Sequence, residues 1–239
     1  MDISCFKIFG YKCQELAEKF NSLLPDELKN CFTVKENCLD CLIRINDSCK
    51  DKNLFLRTVY KAFYNDIYTE GDFSLSRIVF DYLTMKRVRI SIAESITGGL
   101  ICSELVSLDG MSKFLTEGIV SYSNASKAKR LNVSETELSH TAVSQAVAKQ
   151  MVEGLLMNGY CDIGVATTGY ASECDNLDCK VGLNYIAVGD AERIDVYRNI
   201  FDGNRNEIRQ KTANAAMFYL IKKLKDTFDV NEYRMLKKE

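Results

Sequence analysis

Apolar and polar positions change period along the chain, and each change marks an element. Leu16, Phe20, Leu23 and Leu24 recur at helical spacing after a short strand-like start, and the only proline, Pro25, closes that helix. Phe32-Thr33-Val34 and then Cys41 to Ile45 read as a pair of strands, and NLFLRTVYKAFYNDI as a second helix. This predicts a small α+β module of KH-like topology over residues 1–72, without the GxxG loop that clamps a nucleic-acid strand. Residues 68–75 form a polar turn in which Gly71 supplies the bend and Asp72 or Ser74 can cap the next helix, FSLSRIVFDYLTMK. Strand and helix patterns alternate from there. Strands are expected at 88–93, 119–123, 163–167, 183–188 and 194–201, with helices at 100–108, 126–131, 144–158 and 206–226. The alternation predicts a three-layer α/β/α sandwich with a largely parallel sheet over 73–228, followed by a frayed tail at 229–239.

Composition narrows the function classes. With 46% hydrophobic and 27% charged residues the chain is of the soluble globular type, and no apolar run reaches the ~18 residues of a membrane span. The first twenty residues carry no signal-peptide core, so a cytoplasmic protein is expected. A net charge of −2 argues against nucleic-acid or anionic-membrane partners. The ten cysteines are scattered; Cys38 and Cys41 resemble half a zinc site with no second half, so free thiols are expected. The single histidine, His140, falls in a polar segment between two helices and reads as a surface residue.

Candidate chemistry gathers at strand ends. RISIAESITGG (89–99) reads as strand, tight turn, helix; its glycines permit close backbone approach, and the helix start would aim N–H groups at an anion. SYSNASK follows the next strand and ATTGYAS the third, so three polar segments are expected to line one crevice beyond the carboxyl ends of the strands. In SYSNASK, Asn124 is expected to cap a helix that carries Lys127 in its first turn. A cation there is disfavoured by the helix dipole, and burial would lower its pKa further, giving an amine able to take a proton from Ser95 or a water. Tyr122 is placed to relay that proton or hold the lysine. Arg205, at the start of the last helix, suits a phosphate or carboxylate partner, and Arg209 lies one turn on.

AESITGG, GIVSYSNASK, AVSQAVAKQMVEG, DIGVATTGYA and FDGNRNEIRQKTANAA, in this order, resemble the CinA C-terminal domain, the nicotinamide mononucleotide deamidase family. The resemblance covers about residues 73–225, and KIFGYKCQELAEKF with IYTEGDFSL is similar to the module that links it to an N-terminal molybdopterin-binding-like domain, which this chain is expected to lack. The resemblance implies a nicotinamide-nucleotide amidase that converts nicotinamide mononucleotide to nicotinate mononucleotide and ammonia, without a metal or other cofactor. It implies Ser95, Tyr122 and Lys127 as catalytic residues, Thr168 as the site threonine and Arg205 as an arginine of the substrate pocket; from their place at the strand ends Thr97, Gly98, Gly99, Asn124 and Gly169 are expected to complete the substrate-binding set. A small-molecule substrate and a homo-oligomer, most simply a dimer, are the implied partners. The chain departs from the family where a glycine-rich TGIAGPGGG loop becomes Thr168-Gly-Tyr-Ala-Ser-Glu-Cys-Asp-Asn, and where Gly-Ala-Val-Ser becomes Thr141-Ala-Val-Ser. A related amide, or nucleotide binding without turnover, is the alternative those changes leave open.

Overall fold

The computed structural model describes residues 3–173 and 179–226. The tail at 229–239 and the loop positions Cys174, Asp175 and Asn176 therefore lie outside the described residues. The chain divides into two compact units, Met1–Ile78 and Val79–Glu239.

The first unit runs β1 (Cys5–Phe9), α1 (Cys13–Leu23), β2 (Phe32–Glu36), β3 (Asp40–Ile45), α2 (Lys52–Phe63) and β4 (Ile67–Glu70). Its four strands lie in the order β2-β3-β1-β4, and every pairing is antiparallel. Two strand–helix–strand arms are thus each split by an intervening strand. The end of α1 follows from local chemistry, because Leu24 takes the extended conformation that a following proline imposes. Asp51 caps α2 by accepting from the Leu54 N–H at 2.9 Å. Phe20, Phe55 and Phe63 meet at ring-centroid distances of 5.3 and 6.1 Å and form the centre of this unit's core. β4 corrects the expected polar turn at 68–75: Ile67 and Tyr68 are buried, and the strand pairs with β1.

The division between the units falls within α3 (Leu75–Lys86). The second unit continues with β5 (Ile90–Glu94), α4 (Leu100–Val106), β6 (Leu115–Val120), α5 (Asn124–Leu131), α6 (Glu135–His140), α7 (Gln145–Met157), β7 (Ile163–Gly169), β8 (Leu183–Gly189), β9 (Ile194–Ile200) and α8 (Arg205–Asp226). Its sheet order is β6-β5-β7-β8-β9. The α/β sandwich is as the alternating pattern implies: α7 packs on one face of the sheet, α4 and α8 on the other. The largely parallel sheet is present as expected, with β8 running against the other four strands. β6, β5 and β7 are parallel, whereas β7–β8 and β8–β9 are antiparallel. The cause is the connections, since a parallel pair needs a crossover and no helix intervenes between β7 and β8 or between β8 and β9 among the described residues. The expected helix-free segment at His140 is also corrected: His140 is exposed, but it ends α6, whose Leu138 is buried against α7 and its neighbours. No helix of the described residues is long and apolar enough to cross a membrane.

Candidate active site

The parallel half of the sheet places the carboxyl ends of three adjacent strands side by side. β5 ends at Glu94 and is followed by Ser95, β6 ends at Val120 and is followed by Ser121 and Tyr122, and β7 ends in Thr167, Thr168 and Gly169. The ladder continues past the strands, with the Ser121 N–H donating to the Glu94 carbonyl at 2.8 Å and the Ser95 N–H to the Thr167 carbonyl at 3.1 Å. Ser95 is thereby fixed from both neighbouring strands.

Lys127 reaches this point from the first turn of α5. Its Nζ lies 2.9 Å from Ser95 Oγ and donates to the carbonyls of Ser121 at 2.8 Å and Tyr122 at 3.4 Å. The residue is only 1% exposed. Burial lowers its pKa from 10.5 to about 8. Such an amine is partly neutral near neutral pH, with two N–H groups for the two carbonyls and a lone pair for the Ser95 hydroxyl. The α5 cap differs from the expectation. Ser123 is the capping residue, accepting from the Ser126 N–H at 3.1 Å, while Asn124 donates from its amide to the Leu138 carbonyl at 3.3 Å. The helix starts one residue earlier than an Asn124 cap would allow.

The anion site expected at the α4 start is filled by the chain itself. Glu94 is fully buried, and its carboxylate accepts from the N–H groups of Gly99 at 2.8 Å, Cys102 at 2.9 Å and Ile101 at 3.2 Å. Three orphan donors of a helix start are thereby satisfied by a charge that the dipole favours. Sequence reasoning passed over Glu94. The available signal was an acidic residue in an otherwise apolar strand, immediately before a turn. The consequence is that Gly99 does not offer its N–H to a ligand. Thr97 and Gly98 retain theirs, with no backbone acceptor among the described residues. Both glycines adopt positive φ, 61° at Gly98 and 97° at Gly99, which the tight turn requires.

Other predicted residues fall around this centre in altered roles. Tyr122 holds Lys127 by its backbone carbonyl, not by its phenol; the exposed ring points its hydroxyl at Arg205 Nη2, which donates to it at 3.0 Å. The proton-relay reading of the phenol is corrected accordingly. The Thr168 hydroxyl is buried and donates to the Ala142 carbonyl at 2.6 Å, so its proton is committed to the chain. Gly169 is packed so tightly that an added Cβ would lie 2.6 Å from Asn184 Cβ and 2.8 Å from Ile96 Cδ1. Arg205 also donates to Ser172 Oγ at 2.7 Å. Arg209 donates to the Thr97 carbonyl at 3.0 Å and so touches the Ser95 turn directly. Ile96, Ala171 and Ile208 form a small apolar cluster that ties this turn to the loop after β7 and to α8.

The departures in the loop have partners. The Tyr170 and Thr141 hydroxyls lie 3.0 Å apart, so two of the changed positions bond to each other. Among the described residues no cluster of His, Cys, Asp and Glu could hold a metal. Among the described residues eight cysteines form no disulfide, but Cys179 is disulfide-bonded, which corrects the expectation of free thiols throughout.

A family model described as the CinA C-terminal domain matches residues 72–224. A CinA-like protein of Fusobacterium nucleatum is 37% identical over 199 residues, spanning 80% of this chain and 48% of the relative. One from Sulfurihydrogenibium is 34% identical over 224 residues, spanning 90% of this chain and 54% of the relative. The chain thus spans about half the length of these relatives. A CinA-superfamily protein from Klebsiella pneumoniae superposes with a TM-score of 0.60 at 30% identity, covering 64% of this chain and 96% of that one. The competence/damage-inducible protein CihA of Agrobacterium tumefaciens gives 0.60 at 32% identity, covering 63% and 93%.

Proposed function

This chain belongs to the CinA family, whose C-terminal domain it carries at residues 72–224, and we propose that it hydrolyses the carboxamide of nicotinamide mononucleotide to the carboxylate and ammonia. The observation that carries the reading is the buried pair of Ser95 Oγ and Lys127 Nζ at 2.9 Å. A carboxamide carbon is a poor electrophile, so the reaction needs an activated nucleophile, a partner for the developing oxyanion and a proton for the departing amine.

Lys127, its pKa lowered to about 8 by burial, takes the Ser95 proton as the hydroxyl oxygen attacks the amide carbon. The Ser121 and Tyr122 carbonyls hold the ammonium that results. The N–H groups of Thr97 and Gly98 are the donors the turn offers to the oxyanion. Lys127 then returns its proton to the leaving nitrogen, ammonia departs, and water cleaves the acyl-serine to free the carboxylate. Arg205 and Arg209, bonded only to neutral oxygens among the described residues, supply the positive charge for the substrate phosphate. The α4 start does not take that role, because Glu94 already fills it.

Purified protein incubated with nicotinamide mononucleotide is expected to release ammonia, and Ser95→Ala and Lys127→Ala to reduce the rate by at least a thousandfold. Undiminished release in both variants overturns the roles. A second reading, hydrolysis of a related amide, is favoured by the bond between Tyr170 of the altered loop and Thr141 after α6. A panel of pyridine and non-pyridine amides ranks the two by kcat/KM.

A further inference from the structure

Arg205 differs in its side-chain partners from three other surface arginines. Arg44, Arg89 and Arg193 each pair with an aspartate. Arg205 has no carboxylate partner among the described residues; Nη1 donates to Ser172 Oγ at 2.7 Å and Nη2 to Tyr122 Oη at 3.0 Å. Those hydroxyls come from two separate segments, the loop after β7 and the end of β6, and Arg205 itself opens α8. Three segments therefore meet at one guanidinium. Its plane is fixed by two neutral oxygens. The arginine that lies one turn on, Arg209, is likewise held by oxygens of Thr97 and Asn206, beside the Gly98 turn.

We propose that Ser172 is a specificity-determining residue, which holds the Arg205 guanidinium against Tyr122 in the pose that meets the phosphomonoester of the substrate. The proposal rests on the amidohydrolase reading above and adds its selectivity device. A free arginine loses the freedom of a long side chain when it binds an anion, and one already held by two hydrogen bonds has lost that freedom beforehand. A planar guanidinium set in advance also favours a phosphate, which can accept two parallel bonds, over a hydroxyl at the same place. The chain is thereby expected to distinguish a nucleotide amide from the corresponding nucleoside amide chiefly through this contact.

The test measures affinity by calorimetry on the full chain, with nicotinate mononucleotide and nicotinate riboside as the two probes and ammonia release recorded separately. The wild-type protein is expected to favour the mononucleotide at least tenfold. Ser172→Ala is expected to lose about fivefold in mononucleotide affinity with nucleoside affinity kept, and Ser172→Thr, which retains the hydroxyl, to restore the preference. In turnover the loss falls on KM rather than on kcat. An unchanged preference in Ser172→Ala, an equal loss for both probes, or no preference in the wild type overturns the proposal. Because the probes are products, binding is read whether or not ammonia is released. Absent ammonia with a Ser172-dependent preference counts against the amidase reading alone, and ammonia without that preference counts against the role of Ser172 alone.

Discussion

A lysine buried without a carboxylate beside it, among the described residues, is a group whose charge the fold resists. With Lys127 at about 8 and the unfolded side chain near 10.5, the unfolded chain holds the extra proton between those values. The contribution of Lys127 to stability is therefore expected to rise with pH from 8 to 10.5 and to be flat below 8. Urea unfolding of the wild type and Lys127→Met at stepped pH checks this, the difference between the two rising across that window. Activity follows the same group in the same direction: kcat/KM is expected to climb through pH 8 as the amine becomes neutral. Glu94 gives a second prediction. Glu94→Gln keeps the shape but sets an amide N–H against backbone donors, at a cost of about 1–3 kcal/mol. A loss of several degrees in Tm and a lower kcat are expected together, because the turn it pins carries Ser95. Ser95, Lys127 and Arg205 were legible as residues, since each is a polar or charged group where local structure gains little from it. Glu94 was not, because a buried carboxylate is recognisable only once its donors are placed around it.

At the scale of elements, the site depends on how α5 begins. The Ser123 hydroxyl satisfies the Ser126 N–H, and the carbonyls of the two residues before it hold Lys127. Ser123→Ala is expected to cost about 1 kcal/mol of stability. It should also lower kcat more than Ser134→Ala does, since Ser134 precedes α6 without a side-chain cap bond. Thermal unfolding and ammonia release on the two variants make the comparison. The strands and most helices could be read from period because their buried faces are continuous, as in the β7 run from Ile163 to Thr168. Direction could not. Whether β8 returns parallel or antiparallel is decided by what connects it to β7, and apolar alternation is the same in both cases. β4 was missed for a related reason: Tyr68-Thr69-Glu70 is polar in composition, and only its pairing with β1 makes it a strand.

Across the whole molecule, every residue of the candidate site lies in the unit Val79–Glu239. Damage to the core of the other unit is therefore a clean control. Phe20→Ala removes a fully buried ring from the aromatic centre of that unit, an expected loss of about 3–5 kcal/mol. Calorimetry should show the transition of Met1–Ile78 lowered, while ammonia release below that transition stays within twofold of the wild type. The site as an assembly was legible to the extent that three polar strand ends fall at equal positions along their strands. What joins them was hidden: the Tyr122 phenol turned to α8, and Ile96, Ala171 and Ile208 came together from segments far apart in sequence.

The outward-facing ring of Tyr122 has an optical use. The chain contains no tryptophan and the Tyr122 ring is 63% exposed, so Tyr122→Trp would give the chain a single indole beside Arg205, with loss of the phenol oxygen to which that guanidinium donates. Its emission would report each arrival beside Arg205 without interference from any other indole. A stopped-flow trace could then separate ligand entry from the chemical step beneath it.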